Sequence, residues 1–254
     1  MIKADQPKCF PKNVKTGVSA VADGQVQLGW SEPKDDVVEN RRRFLAACGI
    51  DIERTVLLRV RYGEELTYDA IEDVGTEHRA RGMYNLEGGP TDCLITNQKE
   101  VALFLPIADC VATVVYDPIK KVLALAHLGR HSTVANLAEK LVGHLMKTYN
   151  TDPRDLIIWM APSLQKQSHI LQYADFANNN LDWQPYCTKL ANGFALDMQG
   201  YNHSRFIAMG VPSENITISS VDTGTNSNYW SHYTETTIRG HEAPPRFAVV
   251  CMMK

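Results

Sequence analysis

Cys110 and His127 stand at the edges of the most apolar part of the chain, and their types suit two chemistries. A thiolate and an imidazole are ordinary zinc ligands. A catalytic zinc usually takes three protein ligands and a water, which it makes nucleophilic near neutral pH. Without a metal, the same two groups can pair as a thiolate nucleophile and its base. Each also fits a quieter role, since a cysteine at a strand end is often a small buried hydrophobe and a histidine can belong to a core. Asp109, next to Cys110, suits the orienting of backbone or of a ligand histidine more than the part of a base. Cys93, beside a turn in Thr91-Asp92-Cys93, reads as packing.

The elements that must position these residues are legible as apolar runs. Val101–Ile107 and Val111–Tyr116 flank Ala108-Asp109-Cys110, and Val122–Ala126 runs directly into His127. Short Val-, Leu- and Ala-rich runs bounded by turn residues such as Asp117-Pro118 predict buried strands. From Thr133 the period changes: Val134, Leu137, Ala138, Leu141, Val142 and Leu145 fall at helical spacing, with Ser132 or Thr133 as N-cap. Upstream, an irregular arm is expected over residues 1–13. Strands at Val14–Ala22 and Val26–Trp30 are expected around an Asp23-Gly24 turn. A helix from Val37 to Ala47, begun by Asp36 and closed near Gly49, precedes a strand at Thr55–Tyr62. Leu66–Leu86 reads as a long functional loop. Downstream, strands are expected at Leu156–Met160, Ile216–Val221 and Arg246–Met253, and a helix at Asp197–Met209 with Gly210 as its cap. Residues 168–192, with Asn178-Asn179-Asn180, Trp183 and Pro185, suggest loops around one short helix. The reading is one mixed α/β (α+β) domain over residues 1–254, three-layered, with a mixed sheet.

Composition sets further bounds. Of 254 residues, 44% are hydrophobic and 22% charged, which is ordinary for a globular domain. A net charge of −3 leaves no nucleic-acid footprint. The basic run Arg41-Arg42-Arg43 reads as a solvated helix face. No apolar run is long enough to cross a membrane, and the N-terminus lacks the apolar core of a signal peptide. Cysteines at 9, 48, 93, 110, 187 and 251 form no C-x-x-C pair, so neither a zinc ribbon nor a disulfide framework is expected, and the cytoplasm is the expected compartment.

The order T…ADC…D…H-x-G…helix resembles the laccase-domain family, also called the polyphenol oxidase or multicopper polyphenol oxidoreductase family. Gly17-Val18-Ser19, Asp36-Val37-Val38-Glu39-Asn40-Arg41, and Asp197 and Asn202 followed by Gly210-Val211 extend the resemblance over most of the chain. It implies a zinc-dependent purine nucleoside phosphorylase, with adenosine deaminase-like activity, purine nucleoside and phosphate as substrates, and a zinc held in part by Cys110 and His127. The family's third ligand, an upstream histidine in a QVHG segment, has no counterpart in Arg59-Val60-Arg61-Tyr62-Gly63. HAGWRG has become His127-Leu128-Gly129-Arg130-His131-Ser132, the late CT motif Asp222-Thr223, and the fYSyRR segment Tyr229-Trp230-Ser231-His232-Tyr233. With one ligand lost, weak or absent zinc is expected, with His78 or His131 as substitute ligands. Arg61 and Arg130 are the candidates for phosphate, through paired donors, with solvent-facing charge as their alternative. The family's fold is similar to the catalytic domain of cytotoxic necrotizing factor toxins, which suggests a metal-free Cys–His hydrolase or deamidase as a second reading. A non-catalytic binding member is a third. Copper oxidation is the weakest, because there is no His-x-His pair.

Overall fold

A computed structural model describes residues 1–29, 34–178, 181–240 and 244–254. The strands in chain order are β1 (Val14–Val18), β2 (Thr55–Leu57), β3 (Ile71–Asp73), β4 (Cys93–Thr96), β5 (Ala102–Ile107), β6 (Val111–Asp117), β7 (Val122–Leu128), β8 (Ile157–Met160), β9 (Ile170–Leu171), β10 (Cys187–Leu190), β11 (Gly193–Leu196), β12 (Ile216–Ile218) and β13 (Phe247–Met253). The α-helices are α1 (Lys34–Ala47), α2 (Arg130–Val134), α3 (Leu137–Tyr149), α4 (Asp175–Asn178) and α5 (Met198–Ala208).

Alternation along the strands builds the layers. On β7, Leu123 and Leu125 face one core while Val122, Ala124, Ala126 and Leu128 face another. On β13, Phe247, Val249, Cys251 and Met253 share the core of Leu123 and Leu125, and Ala248, Val250 and Met252 face a third. Successive side chains of a strand point to opposite faces, so two sheets are stacked with a common core between them. One sheet has the order β1-β13-β5-β2 and the other β12-β8-β6-β7-β4-β3. Both are mixed: β2 runs parallel to β5, and β12 and β3 run parallel to their neighbours, while the remaining pairs are antiparallel. Helix α1 covers the outer face of the first sheet through Val37, Phe44 and Leu45. Helices α3 and α5 cover the second through Leu141, Leu145, Tyr201 and Phe206. The expected mixed α/β class is present. Its strands fall into two packed sheets, which adds a layer to the three expected from a single sheet.

Several local expectations are corrected. The hairpin at residues 14–30 does not form: β1 pairs with β13, and Asp23 turns back to accept the Ala20 N–H at 2.8 Å. Trp30 lies outside the described residues, as do Asn179 and Asn180. The strand at 55–62 stops at Leu57, and the strand from Ile216 stops at Ile218. The helix after His127 is broken at Asn136, in the left-handed region at φ 60°. Residues 168–192 hold not only α4 but also β9 and β10, which with β11 make a small third sheet. Arg41 is fully buried instead of solvated; Arg42 and Arg43 are exposed. Among the described residues no helix is long and apolar enough to cross a membrane.

Candidate functional site

The β6–β7 register brings the first two candidates together. Ala112 lies opposite His127, and Cys110 is two residues before Ala112, so Cys110 and His127 share the inter-sheet face as diagonal neighbours. Gly129 makes the approach possible. A Cβ there would lie 2.9 Å from His127 Nε2 and 3.0 Å from Cys110 Sγ. The turn after β7 is locked by Ser132, whose Oγ accepts the Gly129 N–H at 2.9 Å and donates to the His127 carbonyl at 2.6 Å. Ser132 thus supports the turn from inside α2, whose N-cap is Gly129 and not the Ser132 or Thr133 expected.

The other ring nitrogen of His127 meets a carboxylate that sequence reasoning missed. His127 Nδ1 is 3.2 Å from Asp92 Oδ1, and both residues are buried. The backbones are tied as well, since the His127 N–H donates to the Asp92 carbonyl at 2.8 Å. The signal lay in register: Cys93 pairs with Ala126, so the residue before β4 falls opposite His127. Burial alone lowers the imidazole pKa, but Cys110 and Asp92 outweigh it and raise it to about 9.

Asp109 does something else. Its carboxylate accepts from Thr223 Oγ1 at 2.6 Å, Ser231 Oγ at 3.0 Å and the Tyr233 N–H at 2.7 Å. These bonds fasten residues 223–233 beside Cys110 and hold Asp109 itself at φ 74°, a conformation uncommon outside glycine. Orienting the histidine falls to Asp92.

Cys110 stands where two cavities meet, of about 460 and 400 Å³. Tyr62, His232 and Arg246 line both. The larger is also lined by Arg130, His131 and His169. His131 stacks on Tyr68 with ring centroids 4.6 Å apart, and Tyr62 meets His131 at 6.0 Å and His127 at 6.4 Å. The smaller is also lined by Arg41, Arg59, Arg61 and His127. Arginines outnumber carboxylates in both: Arg130 and Arg246 stand with Asp109 in the larger, and Arg41, Arg59, Arg61 and Arg246 line the smaller, with no Asp or Glu among its described lining residues. Burial first and Arg130 second push His169 down to about 4; burial and Arg130 also lower His131, and burial and Arg246 lower His232.

His78 is elsewhere. Its Nδ1 accepts the Gly75 N–H at 3.0 Å, and the neighbouring Thr76 N–H donates to Gln98, past the end of β4 remote from Asp92. Among the described residues no three of His, Cys, Asp and Glu are grouped to hold a metal. Cys110 and His127 offer two donors, and Asp92 is engaged with the histidine's outer nitrogen. That donor set does not fit the three-ligand catalytic zinc that the resemblance implies.

Comparison with known proteins agrees with this fold. A family model described as multi-copper polyphenol oxidoreductase laccase matches residues 9–247. The chain is 26% identical over 206 residues to "Purine nucleoside phosphorylase YlmD" of Bacillus subtilis, covering 78% of this chain and 72% of that protein. It is 29% identical over 133 residues to "Purine nucleoside phosphorylase LACC1" of Mus musculus, covering 52% of this chain but only 28% of the longer mouse protein. The crystal structure of YlmD from Geobacillus stearothermophilus superposes with a TM-score of 0.86 at 22% identity, covering 98% of this chain and 94% of that one.

Proposed function

We propose, because the chain belongs to the multi-copper polyphenol oxidoreductase laccase family, that it acts on purine nucleosides with phosphate as the attacking group. The observation that carries this reading is the pair of cavities that meet at Cys110, the smaller of them also lined by His127, in a chain whose relatives bear the name purine nucleoside phosphorylase. Each volume is within the range of small-molecule sites. The larger suits the nucleoside, with Tyr62, Tyr68 and His131 as a stacking surface for the base. Arg61 and Arg130, on either side of Cys110, supply positive charge for phosphate. In phosphorolysis a phosphate oxygen bonds to the anomeric carbon, and the glycosidic C–N bond breaks. The purine leaves with the electron pair and takes up a proton. Adenosine deamination by zinc-activated water is not part of this route, since two donors hold an ion less firmly than three.

A second reading rests on Asp92. Sγ of Cys110, Nε2 of His127 and a carboxylate on Nδ1 have the order of nucleophile, base and orienting group found in thiol hydrolases. Protein purified without added metal separates the two. Release of purine and pentose phosphate from adenosine or inosine with phosphate supports phosphorolysis, and no product from metal-replete protein defeats it. Alkylation of Cys110 that slows in His127→Ala, without phosphorolysis, supports the thiol reading. An inert Cys110 with no product leaves a binding role. Elemental analysis of the same sample tests for zinc, and stoichiometric zinc lost in Cys110→Ala would require a further ligand.

A further inference from the structure

After β8 the chain turns through residues 164–169 and sets His169 in the wall of the larger cavity. The turn is held firmly. The buried Asp222 carboxylate accepts the Gln165 N–H at 3.2 Å, Gln167 Nε2 at 2.8 Å and Ser168 Oγ at 2.6 Å. The His169 N–H donates to the Gln165 carbonyl at 2.9 Å, and the His169 carbonyl accepts the Leu196 N–H at 3.0 Å. The backbone on both sides of the ring is therefore fixed. The ring's Nδ1 is buried, and among the described residues nothing bonds to it.

The ring is neutral, and its tautomer is constrained. Burial first and Arg130 second hold its pKa at about 4, so near pH 7 one nitrogen carries a hydrogen and the other a lone pair. A buried N–H without an acceptor is rarer than a buried acceptor without a donor. That puts the hydrogen on Nε2 and the lone pair on Nδ1, which is too deep for a ligand to reach. His169 thus offers the cavity a single N–H donor.

The charged groups around the cavity have the same bias. Arg130 and Arg246 can only donate. Asp109 is the one carboxylate among the described lining residues, and Thr223, Ser231 and the Tyr233 N–H already engage both of its oxygens. Purines differ in what they present to such a wall. A 6-oxopurine shows two neighbouring acceptors, N7 and O6, whereas adenine shows N7 and a donor at position six. A 6-amino group facing donors loses its water without gaining a partner. Stacking on Tyr62, Tyr68 and His131 does not distinguish them, because every base has a π face.

We propose that His169 reads position six of the base through its Nε2–H, so that the site takes 6-oxopurine nucleosides, inosine and guanosine, in preference to adenosine. The proposal rests on the nucleoside reading of the larger cavity. In phosphorolysis the purine leaves with the electron pair of the broken C–N bond. In a 6-oxopurine part of that charge falls on O6 and N7, where a fixed donor stabilises it. His169 gives this hydrogen bond and keeps its proton.

Calorimetric titration of the full chain with inosine, adenosine and purine riboside, which has no group at position six, tests this without turnover. Inosine is expected to bind about tenfold or more tightly than adenosine, with purine riboside between them. His169→Phe keeps a ring and removes the donor, and the ratio of the two Kd values is expected to fall to within about threefold of unity. If His169→Phe fails to fold, His169→Gln decides. Its amide can donate or accept, so the same ratio is expected to fall while inosine still binds. A purely structural His169 would weaken both nucleosides together and leave the ratio standing. Adenosine binding as tightly as inosine to the wild type, or a preference that survives substitution in a folded variant, overturns the proposal and leaves the nucleoside reading intact. If none of the three binds, the nucleoside reading fails and the proposal falls with it. A preference that depends on His169, with no purine released when phosphate is added, defeats phosphorolysis and keeps the role of His169.

Discussion

The β6–β7 pair and the segment from Leu58 to Asp92 face each other across Cys110, and they hold their side chains by different means. On β6–β7, backbone register does the positioning. Seven consecutive residue pairs from Val111↔Leu128 to Asp117↔Val122 fix Cys110 and His127 before either side chain makes a contact. The segment opposite has one three-residue strand, β3, and little else regular. It is held by single ties, such as the Thr91 N–H to the Arg59 carbonyl and the Arg81–Glu72 ion pair. Yet it brings Arg59, Arg61, Tyr62, Tyr68 and Asp92 to the same place. Reactive groups stand on the rigid side, while charge and shape come from the adaptable side, as is usual when a scaffold carries functional loops.

If that division is right, damage to the frame appears as lost stability and damage to the segment as lost site function. Leu125 is fully buried in the inter-sheet core, opposite Val114 and Leu94. Leu125→Ala is expected to cost about 2–5 kcal/mol in urea unfolding. Tyr68→Ala, which removes the ring contacts with His131 and Tyr62 and the hydroxyl's two hydrogen bonds with the Gly63 backbone, is expected to cost less, about 1 kcal/mol. Equal costs would break the comparison. Gly129→Ala sharpens it from the frame side. The new methyl meets the His127 ring and Cys110 Sγ at 3.0 Å or less, and neither group is a loose chain end. Cys110 alkylation and any turnover are expected to fall by about a hundredfold, since displacement by an ångström has that scale. Unchanged rates would show that the pair does not work together.

Asp109 tests the joint between frame and loops. Asp109→Ala leaves the hydroxyls of Thr223 and Ser231 and the Tyr233 N–H without their acceptor, at a residue with positive φ. A cost of about 2 kcal/mol is expected, and less for Asp109→Asn, which keeps an acceptor oxygen and tolerates the left-handed region. Thermal unfolding of both variants measures it, and Asp109→Asn as damaging as Asp109→Ala would contradict the account.

The same division explains what could be read from sequence. β5, β6 and β7 were legible because both faces of each are buried, which leaves near-continuous apolar runs with sharp polar ends. Cys110 and His127 stood out at those ends. Asp92 did not, because its role depends on β4 pairing with β7, and pairing leaves no local pattern. Arg41 was misread because three basic residues in a helix look like one solvated face. Its burial is decided by the carbonyls of Val26, Gly82 and Met83, which come from distant loops. The hairpin at β10–β11 was obscured because each strand is only four residues long and β10 is largely exposed, so neither shows a clear alternation. Helix α5 could be read at both ends, because Asp197 accepts the Gly200 N–H at 2.7 Å and Gly210 takes φ 93°.

The smallest expected effect concerns His169, on the wall of the larger cavity. Burial, with Arg130 adding to it, lowers its pKa to about 4, so the folded protein keeps the ring neutral. An unfolded chain binds a proton there near pH 6.5, as free histidine does. Between about pH 6.5 and 4 the unfolded state therefore holds more protons than the folded one, and stability falls as the pH drops through that window. Below it both states are protonated and this contribution levels off. His169 is only partly buried, so the loss is expected on the order of 1 kcal/mol. Urea unfolding of the wild type and of His169→Gln at pH 7 and pH 4.5 isolates it, because the variant lacks the titrating ring and is expected to lose less stability between the two. Adding Arg130→Gln to the wild type is expected to shrink the same difference, since it removes the neighbouring charge. If Arg130→Gln leaves the pH dependence untouched, burial alone holds His169 neutral, and Arg130 does not act on the wall of this cavity as the arginines of the smaller one act on each other.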